Sequence, residues 1–171
     1  SQGAEKRPRI ACLVSYWAAT RSHADWIVTK LLDGYWWQGA HTPSRVDVVS
    51  VYIHQLEESG LGQKICKSKG IPIFKTVAEA VTLGGKELAV DGVVIVGEHG
   101  EYPTNLKGQW LLPRWWIYQQ VIRVFEDQVA LVIFVAGSAM AGLAPGIGWL
   151  IGARAVQGIG VGGLTALVQV V

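Results

Sequence analysis

The chain has 171 residues, of which 50% are hydrophobic and 16% charged, and a net charge of +2. That length is about one domain. The charge is too small and too mixed in sign for a nucleic-acid surface, so nucleic acid drops out as a partner. Cys12 and Cys66 belong to no CxxC or Cys/His cluster, which argues against a disulfide framework or a zinc site and leaves two reduced, buried thiols. The charges are unevenly spread. Residues before Asp127 carry 14 of the 15 Lys+Arg and 12 of the 13 Asp+Glu, and beyond Asp127 only Arg154 is charged. The chain therefore divides into an α/β segment, residues 1–126, and an apolar segment, residues 127–171.

Ile10–Val14 is a continuous apolar run, as expected of a buried parallel strand. Ser22, with Asp25 three residues on, is a capping-box pattern that opens a helix. Ala24, Ile27, Val28, Leu31 and Leu32 make one face of it, and Gly34 ends it. Val46–Ile53 is β-branched and strand-like. Leu61–Lys69 is predicted helical and ends at Gly70, and Ile71–Phe74 is a short strand. Thr76 and Glu79 repeat the capping-box pattern and open a helix to about Leu83. Val93–Val96 is a fourth strand. Leu112–Glu126 is predicted helical, with Pro113 in its first turn.

The alternation β-α-β-α-β-α-β-α predicts a Rossmann-like parallel sheet with flanking helices. In such sheets ligands bind beyond the carboxyl ends of the strands. Those segments are Ser15–His23, His54–Glu58 and Gly97–Lys107. A dinucleotide fingerprint requires glycines after the first strand, so that the backbone can approach a pyrophosphate. Here that stretch is Ser-Tyr-Trp-Ala-Ala-Thr-Arg-Ser-His, and the second strand ends in Ile53-His54-Gln55 without an acid for the ribose. NAD(P) is the cofactor the fold would suggest, and these residues argue against it.

The loop Gly97-Glu98-His99-Gly100-Glu101-Tyr102-Pro103 is the most function-like stretch. A Glu–His pair binds a metal or shares a proton, and histidine titrates near neutrality. His23 joins Glu98 and His99 if the first and fourth strands are neighbours. The candidate ligand-binding residues are Ser22, His23, Glu98, His99, Tyr102, Asn105 and Lys107, for a small polar or phosphorylated ligand. His23, Glu98 and His99 are also the candidates for a metal. The bland alternative is that Ser22 and His23 cap a helix while Glu98 and His99 close a loop. His41 and His54 read as surface residues. The pairs Trp36-Trp37 and Trp115-Trp116 read as interface or core anchors, or as stacking platforms.

Four stretches carry a family likeness: Arg21–Asp25, Leu83–Val93, Gly97–Pro103, and Lys107-Gly108-Gln109 with Pro113-Arg114. Through them residues 9–126 resemble an uncharacterised bacterial Rossmann-like family, related in outline to the glucose–fructose oxidoreductase/inositol dehydrogenase group. The resemblance implies a nucleotide-binding-like fold and no established activity. The group's second, substrate-holding domain and its Glu-Lys-Pro motif have no counterpart here, which puts dehydrogenase activity of this chain in doubt.

Val129–Ala144 has no charge, Pro145-Gly146-Ile147-Gly148 is a turn, and Trp149–Val171 is a second apolar run. The apolar residues of the first run are together worth about −2 to −4 kcal/mol on an insertion scale. The run is shorter than the roughly 20 residues that span a bilayer comfortably. The predicted structure is an apolar helical hairpin of transmembrane type, with lipid as partner. Gly142-Leu143-Ala144-Pro145, Gly148-Trp149-Leu150-Ile151, and the spacing Leu150-x-x-x-Arg154-x-x-Gln157-Gly158-x-Gly160 resemble transmembrane helices 3 and 4 of major facilitator superfamily multidrug exporters. The resemblance assigns Arg154, Gln157, Gly158 and Gly160 to that family's motif B and implies a link to proton coupling at Arg154. The expectation is a membrane-associated chain with its α/β domain in the cytoplasm and no catalysis by this chain alone. A soluble chain, with the apolar helices packed on the sheet, is the alternative. So too is a transporter fragment joined to a foreign domain, or a chimera without joint function.

Overall fold

The computed structural model describes residues 6–19, 22–143 and 146–168, without the side chains of 127–134, 137 and 158–168. The chain forms two compact units, Ser1–Gln120 and Val121–Val171. In the first, β1 (Arg9–Val14) is followed by α1 (His23–Asp33), the hairpin strands β2 (Tyr35–Trp37) and β3 (Ala40–Thr42), β4 (Asp47–Ile53), α2 (Gly60–Lys69), β5 (Ile73–Phe74), α3 (Val77–Thr82) and β6 (Gly92–Val96). Strands β5-β4-β1-β6, in that order, make one parallel sheet. The expected α/β class and Rossmann-like sheet are thus present.

β1 is the central strand, and Ala11–Val14 are fully buried because both of its edges and both of its faces are covered. Cys12 sits in register between Val51 of β4 and Val94 of β6. Val14, Val28, Val51 and Ile53 close the core around it, with Cys66 from α2. Both thiols are buried, and burial pushes them up, Cys12 to about 12 and Cys66 to about 11. They are protonated packing groups, not nucleophiles.

The helix boundaries follow from local chemistry. Ser22 Oγ accepts from the Asp25 amide at 3.4 Å and turns its other bonds to Ala18. Thr76 and Glu79 complete the full reciprocal capping box at α3. Gly34 ends α1 at φ +79°. A Cβ there would lie 2.3 Å from the Thr42 carbonyl oxygen, so only glycine lets the hairpin fold back this closely. The β2–β3 hairpin has no counterpart in the sequence expectations. Its signal is the two-residue turn Gln38-Gly39, at φ +48° and +79°, between aromatic and β-prone residues.

α4 (Arg114–Gly142) is one helix, so the predicted helix at 112–126 and the first apolar run are a single element, and the unit boundary falls inside it. In the second unit α5 (Ile147–Val168) follows. Hydrogen bonds join it to α4: Gln157 Nε2 donates to Ser138 Oγ at 2.7 Å, and Trp149 Nε1 to the Met140 carbonyl at 3.0 Å. Among the described residues no helix is long and apolar enough to cross a membrane. Much of the segment expected to form a transmembrane-type hairpin, residues 127–134, 137, 144–145 and 158–171, lies outside the residues whose side chains are described.

Candidate functional site

The carboxyl ends of β1, β4 and β6 bring together the three segments picked out from the sequence. After β1 the backbone stays in the sheet's bonding pattern for one more step. The Ser15 amide donates to the Val96 carbonyl at 3.0 Å, and Gln55 N donates to the Ser15 carbonyl at 3.0 Å. The chain then turns toward α2. Trp17 N donates to Ser59 Oγ at 2.9 Å, and Gly62 N donates to the Trp17 carbonyl at 3.2 Å. The Trp17 side chain is fully buried. A Cβ on Gly62 would come within 2.9 Å of Trp17 Cβ and 3.0 Å of Ile53 Cδ1, so the glycine makes room for the indole. Where a dinucleotide fold keeps its backbone open to phosphate, this chain inserts a tryptophan. Thr20 and Arg21 lie outside the described residues.

The loop after β6 closes over β1 and reaches β4. Ser15 Oγ donates to the His99 carbonyl at 2.5 Å. Gln55 pairs with Glu101 as a strand would: its Nε2 donates to the Glu101 carbonyl at 2.8 Å, and its Oε1 accepts from the Glu101 amide at 2.9 Å. Gly100, at φ +133°, permits this. A Cβ there would meet Gln55 Oε1 and Tyr102 Cε2, each at 2.5 Å. Tyr102 OH lies 2.8 Å from His54 Nδ1. The His54 ring stacks on Tyr102 at 5.7 Å and has Trp116 at 5.5 Å on another side. Packing between these rings lowers the His54 pKa despite its exposed edge. Burial first, then Tyr52 and Glu58, push Tyr102 up to about 12.

The candidate residues separate into three groups. His23 and His99 are brought together, as the β1–β6 pairing predicts, with ring centroids 4.5 Å apart edge to face. His99 Nδ1 is buried and unpartnered among the described residues. Tyr102 faces His54, its hydroxyl 2.8 Å from His54 Nδ1. The remaining four serve structure or stand apart. Ser22 caps α1. Glu98 pairs with Arg114 at 2.9 Å. Asn105 Oδ1 accepts from the Lys107 and Gln109 amides of its own turn. Lys107 is exposed on that turn. Among the described residues no group of three or more His, Cys, Asp or Glu side chains is placed to hold a metal. The metal set His23, Glu98 and His99 is therefore not assembled, because Arg114 engages Glu98.

Beside His99 lies a cavity of about 360 Å³ lined by Tyr16, His99, Gly100, Glu101 and Trp110. It offers a hydroxyl, an imidazole, a carboxylate and an indole. That set can hydrogen-bond and stack a small polar molecule, and it contains no activated nucleophile. The sequence reading placed His54, Gln55 and Tyr16 in its ligand-binding segments without naming them as candidates, and it did not pick out Trp110. The first two sit just past β4, where a carboxyl-edge residue is expected to matter. Trp110 is carried there by the Thr104–Trp110 bridge, which sequence spacing does not reveal.

In the second unit Arg154 Nη1 donates to Gln157 Oε1 at 2.7 Å, and Gln157 in turn reaches Ser138. Gly158 and Gly160 lie within α5, where nothing beyond the backbone is described.

No protein-family model and no solved structure matches the chain. Over 62 residues, 36% of its length, it is 45% identical to an uncharacterised transporter of Schizosaccharomyces pombe. Over a stretch of the same size it is 44% identical to an uncharacterised MFS-type transporter of the same yeast. The chain spans 10% of the length of each of these relatives. Part of this chain is thus similar to part of two proteins named as transporters, one of them MFS-type.

Proposed function

We propose that residues 127–171 are a helical segment of a major-facilitator-type transporter, joined to a Rossmann-like α/β domain. The likeness over 62 residues to two proteins named as transporters supports this reading, and it is longer than these 45 residues, so it takes in part of the chain before Asp127 as well. The line Arg154–Gln157–Ser138 supports it, because polar side chains that bond to one another between helices are what a bilayer tolerates. Two helices do not enclose a pathway, which takes two bundles around a central site. The segment's role is therefore as part of a larger helical assembly, with Arg154 as its proton-linked residue. Alkaline-carbonate extraction of membranes from cells expressing the whole chain tests this. Retention in the membrane supports the reading, and complete release overturns it.

A second reading concerns the α/β domain, and the orphaned His99 Nδ1 beside the cavity favours it. A small polar or phosphorylated ligand hydrogen-bonded by His99 and Tyr16 would satisfy that nitrogen. Calorimetry of the whole chain against sugar phosphates, NAD(H) and NADP(H) tests it. Binding that His99→Ala weakens several-fold, at unchanged melting temperature, supports a ligand role. Equal loss of binding and stability makes His99 structural.

A further inference from the structure

The β2–β3 hairpin and the adjoining side of α1 expose aromatic surface that the fold does not use. Trp36 is 74% exposed, Trp37 65%, Trp26 63% and Tyr35 45%. Trp36 and Trp37 are consecutive on a strand, so they project from opposite faces of a two-stranded ribbon. Below them, Trp26, Lys30, Leu31, Tyr35, Arg45 and their neighbours line a groove of about 430 Å³, almost wholly apolar within and flanked by two cations. A second hollow of about 440 Å³ shares Pro43–Arg45 with it and adds Lys6 and Arg7.

The charges on this side are unbalanced. Asp47 is met by Arg7 at 3.7 Å, and Asp33 by Lys69. Among the described residues Lys30 and Arg45 have no carboxylate partner, and the Lys30 ammonium lies 5.5 Å from the centre of the Trp26 ring. An ordinary surface hides its tryptophans or scatters them singly. Here four aromatics cluster with cations that lack acids. Tryptophan and tyrosine favour the headgroup level of a bilayer, and basic side chains favour an anionic leaflet.

We propose that the Trp36-Trp37 hairpin, with Trp26, Lys30 and Arg45, is a docking surface for an anionic lipid bilayer. Both faces of the ribbon are aromatic. A protein partner with a flat surface covers one face, whereas a bilayer interface surrounds both. Lys30 and Arg45 then meet lipid phosphates while the indoles enter the headgroup layer. This inference stands on α1 and the hairpin and does not depend on the transporter reading.

The test is a reporter at the hairpin turn of the whole chain. Cys12 and Cys66 are buried, so Gln38→Cys is the site a bulky fluorophore labels. The labelled chain is reconstituted with phosphatidylcholine vesicles, with or without about a quarter phosphatidylglycerol. The expected result is a blue shift of the reporter, and its quenching by spin-labelled lipid, in the anionic vesicles. Both fall several-fold in about 0.5 M salt, in the double variant Lys30→Glu/Arg45→Glu, and in Trp36→Ser/Trp37→Ser. Because the reporter reads the hairpin itself, insertion of residues 127–171 does not mimic this result. A reporter that stays water-like in both vesicles overturns the proposal. So does an equal shift in neutral vesicles that ignores charge reversal, or a shift produced without lipid by raising protein concentration, which would assign the surface to a second copy.

Discussion

Gly100→Ala is the sharpest test of the loop that closes the sheet's carboxyl edge. At φ +133° the backbone is in a region that costs an alanine about 1–3 kcal/mol. The new methyl would also lie 2.5 Å from Gln55 Oε1, so Gln55 must swing away and its two bonds to Glu101 are lost. Such exposed bonds are worth about 0.5–1 kcal/mol each. The expected total is roughly 2–5 kcal/mol, read by denaturant unfolding, with each kcal/mol lowering Tm by roughly 4 °C. Hydrogen exchange at the Glu101 amide should speed up in parallel. Gln55→Ala removes both the obstacle and the bonds. In that background Gly100→Ala should cost about 1–2 kcal/mol less than in the natural chain, leaving the backbone strain and the contact with Tyr102 Cε2. A cost equal in both backgrounds would refute the contact. A cost under about 0.5 kcal/mol in the natural chain would refute the closed loop altogether.

Other consequences are equally direct. Trp17→Ala should destabilise the α/β unit by about 3–5 kcal/mol in denaturant titration, since it empties a fully buried site between β4 and α2. His54 has its pKa lowered by burial, so the folded state favours the neutral ring. Its contribution is complete above the ordinary value of 6.5 and is lost as pH falls through the lowered folded value. Melting curves at pH 7.5 and about pH 5 should therefore converge in His54→Gln, relative to the parent, and an unchanged pH response would refute the role. Cys12 and Cys66, pushed up to about 12 and about 11, should resist thiol reagents until the chain unfolds. Rapid reaction under native conditions would contradict the packing.

What the sequence revealed and what it hid have physical reasons. The sheet was legible because continuous apolar runs such as Ile10–Val14 and Val93–Val96 serve parallel strands, the first buried and the second half-buried at the sheet edge. The caps at Ser22 and Thr76 were legible because each uses a bond three residues away. The meeting of His23 with His99 was expected only if the first and fourth strands are neighbours, and the pairing of β1 with β6 meets that condition. The hairpin at 35–42 was overlooked because its strands are three residues long and nearly everywhere exposed, so no burial pattern marks them. The pairing of Glu98 with Arg114 was not foreseen because Arg114 is sixteen residues away on another element, beyond any local rule. The bonds of Asn105 are local. Its amide is consumed by its own turn, as asparagine side chains in turns often are.

The missing glycine-rich loop is not merely an absent motif; it changes where a ligand can go. In a sheet of order β5-β4-β1-β6 the crevice lies between the segments that follow β1 and β6. This chain packs Trp17, which follows β1, between β4 and α2, and draws the segment after β6 across β1 through Ser15, Gln55 and His54. These two changes depend on glycines at other places, Gly62 under the indole and Gly100 in the crossing loop. The open volume that remains is displaced toward Tyr16, His99 and Trp110, with Gly100 and Glu101. Its side chains can hydrogen-bond and stack, so a ligand recognised here should depend on the imidazole of His99.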